Sequence, residues 1–346
     1  MQHRKLGNTD IKVPVICLGT MTWGQQNSEE EAHQQLNYAV DERGINFIDT
    51  AEIYPIPPTG ELQGVTERYI GTWLKNRNDR ESLLIASKIC SADLVSTRNT
   101  TGKYNKQNII AAVDGSLERL QTDYLDLYQI HWPERQTNFF GPRAYPHNEA
   151  DESTSIRETL EALDEQIKAG KIRNVGVSNE TAWGVHEYLR IAREENLPKI
   201  VSIQNQYSLL NRTFEIGLSE IAIKEEVGLL AYSALNMGVL TGKYLDGARP
   251  DGSRFAFSNR NLERYNPESA QLVIKKYIAL AQKHDLSPTE LALAFVAAQR
   301  FTTSVIIGAT NLEQLKVCID AGEMELSPEL LADIQAVYTE HPDPTV

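Results

Sequence analysis

The sequence predicts an α/β fold, a (β/α)8 TIM barrel of parallel strands with long loops on its C-terminal face. Three observations carry that reading. Short apolar runs alternate eight times with amphipathic helical stretches along the 346 residues. The runs are apolar throughout rather than at every second residue, as strands covered on both faces require. The turn after the first run, Gly19-Thr-Met-Thr-Trp-Gly24, lacks the G-x-G-x-x-G spacing of a doubly wound open sheet.

The elements follow in order. Residues 1–12 read as a β-hairpin, turning at Gly7-Asn8-Thr9-Asp10 and plugging the opposite end of the barrel. The first barrel strand is expected at Val13-Pro-Val-Ile-Cys-Leu-Gly-Thr20, with a helix at about 28–41. Ile45-Asn-Phe-Ile-Asp-Thr50 and a helix at about 65–75 make the second unit. Leu83-Leu-Ile-Ala-Ser-Lys88 with about 106–120 is the third, and Tyr124-Leu-Asp-Leu-Tyr-Gln-Ile-His131 with about 155–169 the fourth. Ile172-Arg-Asn-Val-Gly-Val-Ser-Asn179 pairs with a helix at about 182–195, and Val201-Ser-Ile-Gln-Asn-Gln-Tyr207 with one at about 214–226. Gly228-Leu-Leu-Ala-Tyr-Ser-Ala-Leu235 precedes two helices, about 267–284 and 288–299. Ser304-Val-Ile-Ile-Gly-Ala309 leads to a last helix beginning near Leu312.

By length alone two domains would fit. No break in composition marks a second one, so the chain reads as one barrel domain, 1–346. The excess over about 250 barrel residues falls in the hairpin and in three long stretches, 132–154, 236–266 and the tail 321–346. The first two follow strands four and seven, on the face where barrels hold their sites.

The charge bounds the partners. With 34 Lys+Arg against 47 Asp+Glu the net charge is −13, which repels nucleic acid and anionic membrane. The longest apolar run, Leu291 to Ala298, is far short of a bilayer span. The N-terminal residues carry no apolar stretch suited to a signal peptide, and neither end carries a lipidation motif. Cys17, Cys90 and Cys318 are too few and too scattered for a disulfide framework or a zinc site. The expectation is a cytoplasmic protein with reduced thiols. Gly238-Val-Leu-Thr-Gly-Lys-Tyr244 is one residue short of a P-loop and has Tyr where a magnesium-binding Ser or Thr would stand.

Four ionisable residues fall at the C-terminal ends of strands. Asp49 ends the second, with Tyr54 five positions on; Lys88 ends the third and His131 the fourth. A tyrosine hydroxyl ionises near about 10. A neighbouring ammonium lowers that value, and a carboxylate holds the ammonium in place. Asp49, Tyr54 and Lys88 can therefore make a tuned general acid, and His131 can align a carbonyl oxygen. Asp49 and His131 alone are too few for a metal site.

Six segments, in this order, resemble the aldo-keto reductases over essentially the whole chain. They are Leu18-Gly-Thr-Met-Thr-Trp-Gly24, Phe47-Ile-Asp-Thr-Ala-Glu-Ile-Tyr54, Ile85-Ala-Ser-Lys88, Leu120-Gln-Thr-Asp-Tyr-Leu-Asp-Leu-Tyr-Gln-Ile-His131, Gly170-Lys-Ile-Arg-Asn-Val-Gly-Val-Ser-Asn179 and Ile307-Gly-Ala-Thr-Asn-Leu-Glu-Gln-Leu315. The Pro-rich insert Tyr54-Pro-Ile-Pro-Pro-Thr-Gly60 and the long loop after His131-Trp132-Pro133 are similar to a bacterial, Tas-like branch. The resemblance implies reduction of aldehydes or ketones to alcohols with NADP(H), and with NAD(H) as the lesser cofactor. The family's Asp, Tyr, Lys and His fall on Asp49, Tyr54, Lys88 and His131, with Tyr54 as general acid.

By the same resemblance, Gly19, Thr20, Met21 and Asp49 lie beside the nicotinamide, Ser178, Asn179 and Gln204 meet its carboxamide, and Tyr232 stacks on its ring. Ser233, Leu235, Gly238, Thr241 and Lys243 wrap the pyrophosphate, and Ser253 and Arg254 meet the adenosine 2′-phosphate. Gly308, Ala309, Thr310 and Gln314 form the final phosphate-binding turn. Val317-Cys318 stand where related proteins have Glu-Asn. An anionic cofactor on an acidic chain requires local reversal of charge, expected at Lys243 and Arg254.

Trp23, Tyr54, His131 and Trp132 are expected to meet a small carbonyl substrate. Phe139, Phe140, Tyr145 and Met237 would widen that aromatic mouth, with Arg143 as a carboxylate anchor. The resemblance also covers the β-subunits of potassium channels, so a cofactor-binding regulatory or redox-sensing subunit is the alternative.

Overall fold

The structure, a computed structural model, describes residues 1–91, 102–140, 144–257 and 262–345, with 262 and 263 described in backbone only. Eight parallel strands close a barrel: β3 (Ile16–Gly19), β4 (Phe47–Asp49), β5 (Leu84–Ile89), β6 (Leu127–Ile130), β7 (Val175–Ser178), β8 (Ile200–Gln204), β9 (Gly228–Ala231) and β10 (Thr302–Ile307). Each pairs with its successor, and β10 closes on β3 in the register Val305 to Ile16. Gly19 permits that closure: a Cβ there would lie 2.7 Å from Ile306 and 2.8 Å from the Ile307 carbonyl oxygen.

The hairpin β1 (His3–Lys5) and β2 (Lys12–Pro14) is antiparallel. Leu6 and Val13 pack on Phe47, Leu127 and Val201, residues at the starts of barrel strands, so the hairpin plugs the N-terminal end. Arg4 staples it there by donating to the carbonyls of Ala297 at 2.7 Å and Thr302 at 2.5 Å.

Helices α1 (Glu29–Asn37), α2 (Val65–Lys75), α3 (Lys106–Leu120), α4 (Ile156–Lys168), α5 (Ala182–Glu195) and α6 (Leu218–Lys224) ring the barrel. The rim elements α7 (Arg254–Phe257) and α8 (Leu262–Tyr265) follow, then α9 (Gln271–Lys283), α10 (Pro288–Ala298), α11 (Leu312–Ala321) and α12 (Pro328–Glu340). Ser28, Asn105, Ser155, Thr181, Ser287, Asn311 and Ser327 each accept an amide hydrogen bond at a helix start. Such a cap contributes typically about 1 kcal/mol. In α4, Leu160 and Leu163 recur at helical spacing and are buried. Helix α10 is buried from Leu291 to Ala297 because α9, α11, β10 and the 236–241 turn all pack on it. Its long apolar run is therefore a buried helix.

Three elements differ from the sequence expectation. The helix expected at 28–41 stops at Asn37 and continues as a wider turn, Tyr38–Glu42, in which the Arg43 amide reaches the Tyr38 carbonyl. The one expected at 214–226 shortens to Leu218–Lys224 because Gly217, at φ 88°, separates it from a single turn at Thr213–Glu215. The expected tail instead holds α12, started by Ser327 with Pro328 in the first turn. Among the described residues no helix is long and apolar enough to cross a membrane.

Candidate active site

The ends of β4, β5 and β6 bring four ionisable side chains together. Lys88 is fully buried, and its ammonium donates to Asp49 Oδ2 at 2.6 Å and to the Thr50 carbonyl at 2.7 Å. The other carboxylate oxygen of Asp49 accepts from Gln204 at 2.9 Å and Gln129 at 3.2 Å. Gln204 also donates to Gln129 Oε1 at 3.1 Å, so two amides clamp the carboxylate from within the barrel. The Tyr54 ring lies 5.0 Å from the Lys88 ammonium and 5.7 Å, edge-on, from the His131 ring.

Burial and charge set the protonation of each group. Burial works against the Lys88 charge, yet Asp49, Tyr54 and the hydrogen bond together hold its pKa above the ordinary lysine value. Burial raises the Tyr54 pKa, and Lys88 only partly offsets it. The sequence expectation of a lowered tyrosine value is thereby corrected: desolvation of the phenolate outweighs the ammonium. Burial, with Lys88 second, pushes His131 well below the usual histidine range. The ring is neutral at pH 7, and its buried Nδ1 has no hydrogen-bond partner among the described residues.

Asp49, Tyr54 and His131 open on a cavity of about 850 Å³, with Lys88 buried behind them. Gly19, Thr20 and Met21 line it from the end of β3, Ser178 and Asn179 from β7, and Gln204 from β8. Tyr232, Ser233, Leu235, Gly238, Thr241, Lys243, Ser253 and Arg254 line it from the rim after β9, and Gly308, Ala309, Thr310 and Gln314 from the rim after β10. Asn179 donates to the His131 carbonyl at 2.8 Å and accepts from the Tyr232 hydroxyl at 2.5 Å, which ties the two walls together. Gly238, at φ 88°, leaves room for the Lys243 ammonium, 3.2 Å from where a Cβ would stand.

The family model described as "Aldo/keto reductase family" matches residues 15–339. The chain is an aldo-keto reductase. It is 49% identical over 343 residues, 98% of each chain, to "Protein tas" of Escherichia coli. It is 31% identical to "Uncharacterized oxidoreductase YrpG" of Bacillus subtilis, over 98% of this chain and 96% of that one. It is 29% identical to a "Putative voltage-gated potassium channel subunit beta" of Schizosaccharomyces pombe, over 96% and 92%. The family assignment makes it an oxidoreductase.

Three cations of this aldo-keto reductase, Lys243, Arg254 and Arg264, line the cavity, and among the described residues no carboxylate forms an ion pair with any of them. Arg254 lies 4.0 Å from Met21 Sδ, and burial lowers its pKa. A part-buried guanidinium without a counter-charge is costly, which fits a cavity built for an anion. Burial raises the Cys318 thiol to about 12, with Lys243 opposing, so that cavity residue stays protonated.

The expected substrate residues divide. Tyr54, His131, Trp132, Phe140 and Met237 line the cavity. Trp23 does not: it is fully buried beneath the rim, its indole N–H donating to Gln35 at 3.3 Å, and Thr66 holds its carbonyl at 2.8 Å. Placing Trp23 in the mouth is thus corrected, because its turn folds inward onto α1 and α2. Phe139 reaches the wall only through Phe140, 5.2 Å away, and Tyr145 is exposed beside His147. Arg143 lies outside the described residues. Sequence reasoning missed Gln129 and Arg264. The first was signalled by a lone amide inside an apolar strand; the second had no signal in its single helical turn.

Proposed function

We propose that this aldo-keto reductase reduces aldehydes or ketones to alcohols with NADPH, using Tyr54 as the general acid. Bound NADPH supplies the hydride. Tyr54, kept protonated by burial, gives its proton to the carbonyl oxygen as negative charge develops there. The Lys88 ammonium, held at 2.6 Å by Asp49, stabilises the phenolate left behind. Neutral His131 offers a ring N–H to the same oxygen and aligns it. Lys243 and Arg254 would hold the phosphates, Arg254 favouring a 2′-phosphate through its guanidinium fork. The cavity volume of about 850 Å³ falls within the range of cofactor sites. Three buried cysteines outside any disulfide fit a reducing cytoplasm.

The observation that carries this reading is the buried Asp49–Lys88 pair against the Tyr54 ring at the floor of that cavity. The test is NADPH oxidation by a panel of aldehydes, read at the cofactor's absorbance. Turnover that Tyr54→Phe removes supports it. NADPH binding without turnover of any carbonyl favours instead a cofactor-binding regulatory subunit; the Schizosaccharomyces pombe relative is named a putative voltage-gated potassium channel subunit beta.

A further inference from the structure

We propose that Arg264 anchors a carboxylate on the substrate, so that the preferred carbonyl compounds are oxo acids. The inference rests on the reductase reading and adds the substrate class. Arg264 stands at the end of an unbroken aromatic wall that starts at Tyr54. The Tyr54 and His131 rings are 5.7 Å apart, His131 and Trp132 4.7 Å, and Trp132 and Phe140 6.3 Å. The Arg264 guanidinium then lies 4.8 Å over the Phe140 ring and 5.0 Å from the Tyr265 ring.

Among the described residues, its hydrogen bonding leaves donors over. Its partners are the neutral amide oxygen of Gln206, at 2.7 Å, and the hydroxyl of Tyr232, both uncharged. That amide is held in one orientation. The Asn236 amide donates to the Tyr265 carbonyl at 3.1 Å and to Thr345 at 3.3 Å, so its oxygen faces the Gln206 amide N–H at 3.4 Å. Gln206 must therefore present its oxygen to Arg264. A guanidinium has five N–H donors, and one amide oxygen with one hydroxyl does not use them all. Two parallel donors match a carboxylate. The other cavity cations have other nearest partners: Lys243 lies over the Tyr244 ring at 5.2 Å, and Arg254 lies beside Met21, within electrostatic reach of Tyr54 and Tyr265. They suit the cofactor's phosphates and leave Arg264 to the substrate.

The test compares 4-carboxybenzaldehyde with its methyl ester, methyl 4-formylbenzoate, in the NADPH-dependent assay. The wild type is expected to favour the acid at least tenfold in kcat/KM, mostly through KM. Arg264→Met is expected to bring that ratio close to one, and Arg264→Lys to restore part of it. Equal use of acid and ester by the wild type overturns the proposal, as does a preference that survives in Arg264→Met. If neither aldehyde is reduced, the reductase reading is what falls. Calorimetry with terephthalate then decides Arg264 separately: binding at least tenfold weaker in Arg264→Met supports the anchor, and equal binding removes it.

Discussion

Asp49→Asn isolates the electrostatic core of the site. Asparagine matches aspartate in shape, so its oxygen can still accept from Gln204 and Gln129. The lost charge lies 2.6 Å from a fully buried ammonium, and the new amide would set a donor against a donor. Breaking one side of a buried pair costs roughly 3–5 kcal/mol. The cost should depend on pH. In the wild type, Lys88 has a folded pKa above its unfolded value of about 10.4. Its stabilisation is fully present below that value and is lost only as pH rises through the folded pKa, so it adds no slope between pH 6 and 9. In Asp49→Asn, burial loses its largest opponent, only Tyr54, Cys17 and the Thr50 carbonyl remain against it, and the folded pKa is expected to drop below the unfolded one. The unfolded state then binds the extra proton, and stability rises with pH by up to about 1.4 kcal/mol per unit. Urea unfolding at pH 6 and pH 9, followed by tryptophan fluorescence, is the assay. The variant should lose roughly 3–5 kcal/mol at pH 6 and recover at least about 2 kcal/mol of that by pH 9. A loss below about 1 kcal/mol, or one equal at both pH values, would refute the reasoning.

Other expectations follow from the same geometry. Tyr54→Phe should lower carbonyl turnover by roughly 10²–10⁴-fold while NADPH affinity, measured by fluorescence, stays within a few-fold of wild type. Because the His131 pKa is depressed, the unfolded state binds more protons below about 6.5. His131 should therefore cost stability as pH falls from about 6.5 to 5, a slope that urea unfolding should find reduced in His131→Asn. Arg254→Met should weaken NADPH by roughly 10–100-fold, the equivalent of one charged hydrogen bond, with a smaller effect on NADH; equal losses would place Arg254 away from the 2′-phosphate. Gly19→Ala should destabilise by about 1–3 kcal/mol in denaturant unfolding, because the added Cβ meets Ile306 and the Ile307 carbonyl.

The barrel was legible because βα alternation is a local pattern. Val65–Lys75, Lys106–Leu120 and Ala182–Glu195 fall where their periodicity puts them. Asp49, Lys88 and His131 could be brought together from topology alone, since parallel strands of a barrel all end on one face. What escaped depends on three-dimensional burial. The direction of the Tyr54 shift is a balance of desolvation against one ammonium, and residue types alone do not set it. Trp23 sits in a motif beside the rim, yet its own indole is turned under it. Arg264 lies in the single-turn helix α8, too short to show periodicity, and its place over Phe140 follows only from how two long rim segments meet.

The proposed chemistry is hydride delivery to a carbonyl carbon with a proton from Tyr54. Its most direct test is turnover of an accepted aldehyde with NADPH deuterated at the transferring carbon, the alcohol being read by mass spectrometry. One deuterium on the carbinol carbon in the wild type, with product lost in Tyr54→Phe, is the expected result. Alcohol formed without deuterium, or formed undiminished by Tyr54→Phe, would contradict it.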